Sequence, residues 1–222
     1  LTSAAPIKVT GPLRSAGFSR VFRGEGAMFP RPVAIKQFLH DPSGASPAES
    51  AQAYFCGLQR MASIADRIGL PSIEPYVLLE SHGIVVATWV EGRTLAQSLL
   101  QEGAARRRKL IYDAGVWLAK LHQACGVERS PPDMAGMLAR LEAELTENNR
   151  ATGLFIRRAL TELRAVDPTL AAQPVAWSRH YGDFKPDNLI VQQDRLVAMD
   201  VELLYAAPTV MDAAHFLNQL QF

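Results

Sequence analysis

The chain has 222 residues, 48% of them hydrophobic and 20% charged, and carries a formal net charge of +1 at pH 7. A balance this close to neutral argues against a dedicated nucleic-acid binder, which shows a strong basic excess. No apolar run reaches the roughly 18 residues of a membrane span. The two cysteines, Cys56 and Cys125, lack metal-ligand spacing and supply neither a zinc site nor a disulfide framework; both read as small buried apolar residues. No signal peptide opens the sequence, and the expected location is the cytoplasm. The length is enough to bury a sizeable core in one large or two small lobes.

In chain order, strands are expected at Ile7 to Thr10, Phe18 to Arg23 and Val33 to Phe38. Gly11 to Gly17 reads as a flexible turn between the first two. The stretch from His40 to Pro47 is dense in turn residues and separates the third strand from a helix running from about Pro47 to Arg67. Strands then follow at Tyr76 to Glu80 and Gly83 to Thr88, and the chain continues through Ala87, Thr88, Trp89 and Val90 to Gly92 and Thr94, which caps the next helix. Leu110, Ala114, Trp117, Leu118 and Leu121 recur at helical spacing and mark a core stripe. His122, near the end of that helix, is read as structural, since a helix C-terminus favours a partial positive charge. The basic cluster from Arg106 to Lys109 opens the same helix. A solvated helix face is preferred there over a site for anionic lipid or nucleic acid. Pro131 and Pro132 break the chain, and two helices are expected at about 133–147 and 152–165. Glu142, Glu144 and Glu147 on the first either attract a cationic ligand or form a solvated face. A strand from Leu189, a hairpin near Gln193 and Asp194, and a helix from near Thr209 complete the reading. No internal repeat or low-complexity tract appears.

The chemistry concentrates in Asp183-Phe184-Lys185-Pro186-Asp187-Asn188, the apolar run Leu189-Ile190-Val191, and Asp200. Phosphoryl transfer from a nucleotide needs a carboxylate to orient and deprotonate the attacking hydroxyl. It also needs oxygen ligands for magnesium and a cation near the γ-phosphate. This segment offers all of them: Asp183 as base, Lys185 as the cation, Asn188 and Asp200 as metal ligands. A plain polar turn is the competing reading of the motif alone. A second element lies far upstream, where Val33-Ala34-Ile35-Lys36 alternates as a strand does and ends in the lysine that kinases use to hold the α- and β-phosphates. Ahead of it, Ser15 and the backbone amides of Ala16 and Gly17 are candidates for phosphate oxygens. Ala87, Thr88, Trp89 and Val90 form a hinge whose backbone would hold a purine edge.

These motifs together resemble the aminoglycoside phosphotransferase and choline kinase group of the protein-kinase-like superfamily. The likeness rests on the lysine strand, Trp89-Val90-Glu91-Gly92-Arg93-Thr94-Leu95, Leu118-Ala119-Lys120-Leu121-His122, Tyr181-Gly182-Asp183, Met199-Asp200-Val201-Glu202 and Asp212-Ala213-Ala214-His215-Phe216. It implies an α+β bilobal fold, with an antiparallel-sheet N-lobe over residues 1–88, a hinge at 89–93 and a mostly helical C-lobe over 94–222. It further implies ATP or GTP as co-substrate with Mg2+, a small-molecule hydroxyl as acceptor, and Asp212 as a buried carboxylate tying the catalytic loop to its helix. The short interval from Asp200 to Asp212 leaves no room for a regulatory phosphosite and a peptide-docking segment together, which also favours a small acceptor.

The sequence departs from that pattern in places. Lys185 stands where antibiotic kinases commonly carry histidine, and Tyr181 stands where histidine is usual two residues before the base. The usual glutamate partner of the strand lysine has one candidate in the following helix, Glu49, whose first-turn position is equally explained by helix capping. A nucleotide-binding pseudokinase and a kinase for protein or lipopolysaccharide sugar stay open as alternatives.

Overall fold

The structure is a computed structural model and describes residues 7–16, 18–40, 44–131, 133, 135–136, 139, 157–158, 161–162, 164–165, 173–200 and 205–220. The expected helices at 133–147 and 152–165 fall largely outside the described residues, as do Glu142, Glu144 and Glu147.

The first half is an antiparallel sheet with one helix. Strands β1 (Lys8–Ala16), β2 (Ser19–Glu25), β3 (Val33–Phe38), β4 (Pro75–Leu79) and β5 (Ile84–Thr88) lie in the order β1-β2-β3-β5-β4. The turn expected from Gly11 to Gly17 is instead an arm of a hairpin: β1 runs to Ala16, which sits opposite Ser19, with register shifts on either side of Pro12. Proline cannot donate to a ladder, so the strand bulges around it rather than breaking.

Helix α1 (Pro47–Ile68) interrupts the sheet. Its start follows from local chemistry, since the Ser46 hydroxyl accepts from Glu49 N–H while the Glu49 carboxylate accepts from Ser46 N–H and Oγ. It ends at Gly69, whose φ of 65° suits the left-handed C-cap position. Ala51, Tyr54 and Leu58 pack with Val85, Ala87 and Ile73 of the sheet side. One to two turns later, Met61, Ile64 and Ala65 join a separate core with the second half of the chain. The one helix therefore belongs to both cores, and it fixes the sheet relative to the helices.

The second half begins with the two-residue strand β6 (Arg93–Thr94), helix α2 (Leu95–Gln101) and helix α3 (Ala104–Ala124). Thr94 and Gln97 form a second reciprocal cap. The predicted stripe on α3 is core: Leu110, Ala114, Trp117, Leu118 and Leu121 are all buried. Strands β7 (Glu128–Ser130), β8 (Val175–His180), β9 (Leu189–Gln192), β10 (Arg195–Ala198) and β11 (Tyr205–Pro208) build two small sheets, ordered β10-β9-β6 and β11-β8-β7. The β9–β10 hairpin turns at Gln193 and Asp194, with Gln193 at φ 55°. Helix α4 (Val210–Asn218) follows.

Three side chains of the cluster from Arg106 to Lys109 make contacts within the chain. Arg106 pairs with Asp194, Arg107 donates to the Glu102 carbonyl, and Lys109 pairs with Asp113. Neither cysteine is fully buried, contrary to the reading from sequence; both are half-buried free thiols. Burial raises the Cys125 thiol above its usual range, with Arg179 and Arg67 pulling weakly the other way. Among the described residues no helix is long and apolar enough to cross a membrane.

Candidate active site

Between the five-stranded sheet and the helical half lies a cavity of about 1000 Å³, and it gathers side chains from distant parts of the sequence. Lys36 enters from β3, while Asp183, Lys185 and Asn188 enter from the loop after β8, and Asp200 follows β10. Ala87, Thr88, Trp89 and Val90 line another wall of the same space.

The loop after β8 is held from below and from behind. Phe184, between the two charged residues, is 1% exposed and stacks on Trp117 with ring centroids 5.7 Å apart. Tyr181 and Phe216 pack on the Phe184 ring at 5.5 and 5.3 Å, so an aromatic floor fixes the height of the loop. Gly182 has φ 96°, a conformation that side-chain-bearing residues seldom adopt, and it turns the chain so that Asp183 faces the cavity. From behind, the fully buried Asp212 accepts from Tyr181 N–H at 2.9 Å and Gly182 N–H at 3.3 Å. It also lies 2.9 Å from His122 Nε2 and 3.0 Å from His180 Nε2. Burial by itself raises the Asp212 carboxyl, but the two imidazoles and the Tyr181 N–H outweigh it and bring its pKa down to about 2. His122 and His180 thus serve this carboxylate.

The shortest contacts of Asp183 fall on Oδ2, while His215 Nε2 lies 3.3 Å from its Oδ1. Lys185 Nζ lies 2.6 Å from Oδ2, and Asn188 Nδ2 donates to Oδ2 at 2.8 Å and to the Asp183 carbonyl at 3.0 Å. With its nitrogen turned to Asp183, the Asn188 amide directs its oxygen the other way. Asn188 N–H closes on the Lys185 carbonyl, and the Asn188 carbonyl accepts from Met199 N–H, one residue before Asp200. The Tyr181 hydroxyl donates to the Met199 carbonyl, a second tie between the two strands of the site. Burial, with nearby Asp200 among the lesser causes, holds the Tyr181 phenol well above its usual range, so it stays a donor.

Asp200 has φ 53°, in the left-handed region where a non-glycine residue is strained. Its carboxylate receives Lys36 Nζ at 2.7 Å. Of the two readings of Glu49, the structure takes the cap and not a pairing with Lys36: its carboxylate is committed to Ser46, whose N–H and hydroxyl hold it below the usual range, although Glu49 still lines the cavity. In place of an acid, α1 presents an aromatic face. Lys36 Nζ sits 4.0 Å from the Tyr54 ring centroid and 5.1 Å from that of Phe38. Sequence reasoning passed over Tyr54, although it lies on the helix face that carries Ala51 and Leu58.

On the hinge, Thr88 N–H donates to the Glu74 carbonyl and Trp89 N–H to the Pro32 carbonyl. Those amides are occupied by the fold, which leaves Val90 as the hinge position whose N–H is not among the described backbone pairs. Gly92 passes close under β9, where a Cβ would run into the Val191 carbonyl and the Ile190 side chain. Ser15 and Ala16 lie in the hairpin arm rather than in a loop, opposite Arg20 and Ser19. Gly17 lies outside the described residues.

The donor set suits a hard cation. Asn188 and Asp200 bring an amide oxygen and a carboxylate to the same cavity wall, and no cluster of three or more His, Cys, Asp or Glu ligands occurs among the described residues. Magnesium fits such a sparse set, because it keeps several waters and shares its shell with substrate phosphates.

Comparison with known proteins agrees with this geometry. Residues 14–221 match the family model for APH, the phosphotransferase enzyme family. No curated protein matches the sequence. Among solved structures, a choline/ethanolamine kinase family protein from Mesorhizobium loti superposes with a TM-score of 0.61 at 17% identity, over 95% of this chain and 63% of that one. An amicoumacin kinase in complex with AMP-PNP and Ca2+ gives 0.56 at 14% identity, over 96% of this chain and 64% of that one. The streptomycin–ATP–APH(2")-IIa ternary complex gives 0.58 at 13% identity, over 93% and 69%. The chain spans less than two thirds of the length of the first two of these proteins. At such identities the likeness is one of fold, the bilobal protein-kinase-like α+β fold. With nearly its whole length matched by the family model, the chain belongs to the phosphotransferase enzyme family.

Proposed function

We propose that this protein transfers the γ-phosphoryl group of ATP, or GTP, to a hydroxyl of a small molecule in the range of amino alcohols and amino sugars. In this reading residues 1–88 hold the nucleotide, 89–93 are the hinge, and 94–222 carry the transfer residues. The observation that carries it is the meeting of Lys36, Asp183, Asn188 and Asp200 around one cavity, from positions as far apart as Lys36 and Asp200.

Asp183 would accept the proton of the attacking hydroxyl, and Lys185 would stand beside it to counter the charge of the transferring group. Lys36, already held at the inner end of the cavity by Asp200 and the Tyr54 ring, would exchange part of that contact for phosphate oxygens. Val90 N–H and the apolar wall at Ala87 would take the purine edge. Asn188 and Asp200 would hold magnesium, which when bound neutralises phosphate charge and orients the triphosphate. The remaining contribution of the chain is positional, with the loop's height set by its aromatic floor and its back by Asp212.

The test is Asp183→Asn assayed with Mg2+ and ATP against choline, ethanolamine, glucosamine and an aminoglycoside, with AMP-PNP binding measured in parallel. Turnover should fall by about 100-fold or more while AMP-PNP affinity stays within a few-fold. A variant retaining turnover within tenfold of wild type removes Asp183 from the role of base. A wild-type protein that binds AMP-PNP but forms no ADP with any acceptor favours the pseudokinase alternative.

A further inference from the structure

Strand β2 roofs the cavity, and its side chains alternate between the two faces of the sheet. Ser19 and Val21 line the cavity, so Arg23, two residues further along, hangs from the same face toward the hinge. There Arg23 Nη2 lies 3.1 Å from Glu91 Oε1 and 3.3 Å from Glu25 Oε1. The stem of Arg23 is packed, with Nε buried, so the end of the guanidinium is presented from a steadied side chain. Glu91 belongs to the opposite wall. Its neighbours Val90 and Gly92 both line the cavity, and Gly92 lies so close under β9 that a Cβ would strike the Val191 carbonyl. Directly after it, Arg93 and Thr94 pair with Val191 and Ile190. Glu91 is thereby anchored to the helical half, and Arg23 to the sheet. Among the described ion pairs, two join the five-stranded sheet to the rest of the chain: Lys36 with Asp200 on the catalytic side, and Arg23 with Glu91 at the hinge.

Resting on the nucleotide-binding reading of the cavity, we propose that Arg23 and Glu91 form a clasp across its hinge-side mouth, and that as positioning residues they set how fast the nucleotide leaves. The purine edge belongs at Val90, one residue from Glu91. For the nucleoside to depart, the β2 roof and the hinge move apart, and the contact between Arg23 and Glu91 spans that gap. The side chains are 35% and 65% exposed, so water and salt screen the pair and it opens in every cycle. An exposed ion pair shifts an equilibrium by no more than about fivefold, which suits a brake on release and not a lock. Glu25 shares the same guanidinium nitrogen but sits on β2 itself, so its contact with Arg23 stays within the roof and does not resist opening.

The experiment follows release of mant-ADP, with Mg2+ present, by stopped-flow fluorescence. It compares wild type with Glu91→Gln, with Glu25→Gln, and with a charge swap that joins Arg23→Glu and Glu91→Arg. The swap is made together with Glu25→Gln, because a carboxylate at position 23 would be repelled by Glu25. At low salt Glu91→Gln should release mant-ADP about threefold faster than wild type, whereas Glu25→Gln should stay within about 1.5-fold of it. The swap should return release most of the way to the wild-type rate. In about 1 M NaCl wild type and Glu91→Gln should converge, since the ion pair is then screened. A merely structural role for Arg23 would give neither the convergence in salt nor the rescue by the swap. Equal release from wild type and Glu91→Gln at low salt overturns the proposal, as does equal acceleration by Glu91→Gln and Glu25→Gln. A swap no slower than Glu91→Gln, a difference that persists in 1 M NaCl, or loss of mant-ADP binding in Glu91→Gln overturns it too. A wild type that binds no mant-ADP refutes the nucleotide reading itself, and the proposal falls with it. That result differs from a wild type that binds mant-ADP and releases it indifferently to Glu91.

Discussion

Replacing Asp212 by asparagine tests the claim that one buried charge holds the catalytic loop to its helix. Asp212 is 0% exposed, and four donors converge on it: two imidazole Nε2 atoms and the N–H groups of Tyr181 and Gly182. Its carboxyl is lowered from 3.8 to about 2, and a pKa unit corresponds to roughly 1.4 kcal/mol, so the ionised form contributes about 2 kcal/mol to folding. Asparagine removes that charge and turns an NH2 toward groups that are themselves donors, leaving at least one buried N–H unpaired at a cost of about 1 kcal/mol or more. The expected loss at pH 7 is therefore about 3 kcal/mol, or roughly 10 °C in Tm for a chain of this size. Because the folded pKa lies below the unfolded one, the stability from ionised Asp212 is complete above about pH 5 and drains away as the pH falls toward 2. Near pH 3 wild type has lost about 1 kcal/mol that the asparagine variant never had, so the gap between the two should narrow by that amount. Urea unfolding of both proteins at pH 7 and pH 3, followed by tryptophan fluorescence, measures it. A gap below about 1 kcal/mol at pH 7, or one equal at the two pH values, refutes the electrostatic account.

Other outcomes follow from the same site. Tyr54→Leu should weaken AMP-PNP binding about tenfold by removing the ring face under Lys36, whereas Tyr54→Phe should stay within about twofold; equal losses in a binding titration would assign Tyr54 to packing alone. Tyr181→Phe leaves the Met199 carbonyl without its donor and should cost about 1–3 kcal/mol in urea unfolding, with the aromatic floor unchanged. Asp200→Asn should abolish the difference in AMP-PNP affinity between Mg2+ and EDTA, and a persisting difference in the variant removes Asp200 from the metal set. Exchange of Lys36 for methionine should lower nucleotide affinity, and a calorimetric titration that finds wild-type affinity contradicts its role at the phosphates.

The parts of the site that could be read in the sequence are those where chemistry dictates residue type along a short stretch. Asp183, Lys185, Asn188 and the apolar strand after them carry their spacing in one loop, and the alternation around Lys36 fixes a strand whatever it pairs with. Periodicity likewise exposed the α3 core stripe, because burial on one helix face imposes a repeat. What escaped the reading depends on contacts between residues remote in sequence. Val175–His180 and Tyr205–Pro208 become strands by pairing with each other and with Glu128–Ser130. The seat of Lys36 failed for a related reason. A glutamate one turn into α1 satisfies a local rule, the reciprocal cap with Ser46, as well as the distant one, and the local bond forms without ordering any further chain. Tyr54 then falls under Lys36 because it shares the buried face with Ala51 and Leu58, a face chosen by packing against β5 and not by charge. His215 was quoted only as part of the helix after Asp200, since a histidine three residues past a buried acid looks like any polar helix position until the helix is placed against Asp183. A catalytic loop can thus be recognised from its own residues, whereas the side chains that steady it are selected by the surface they already share with the core.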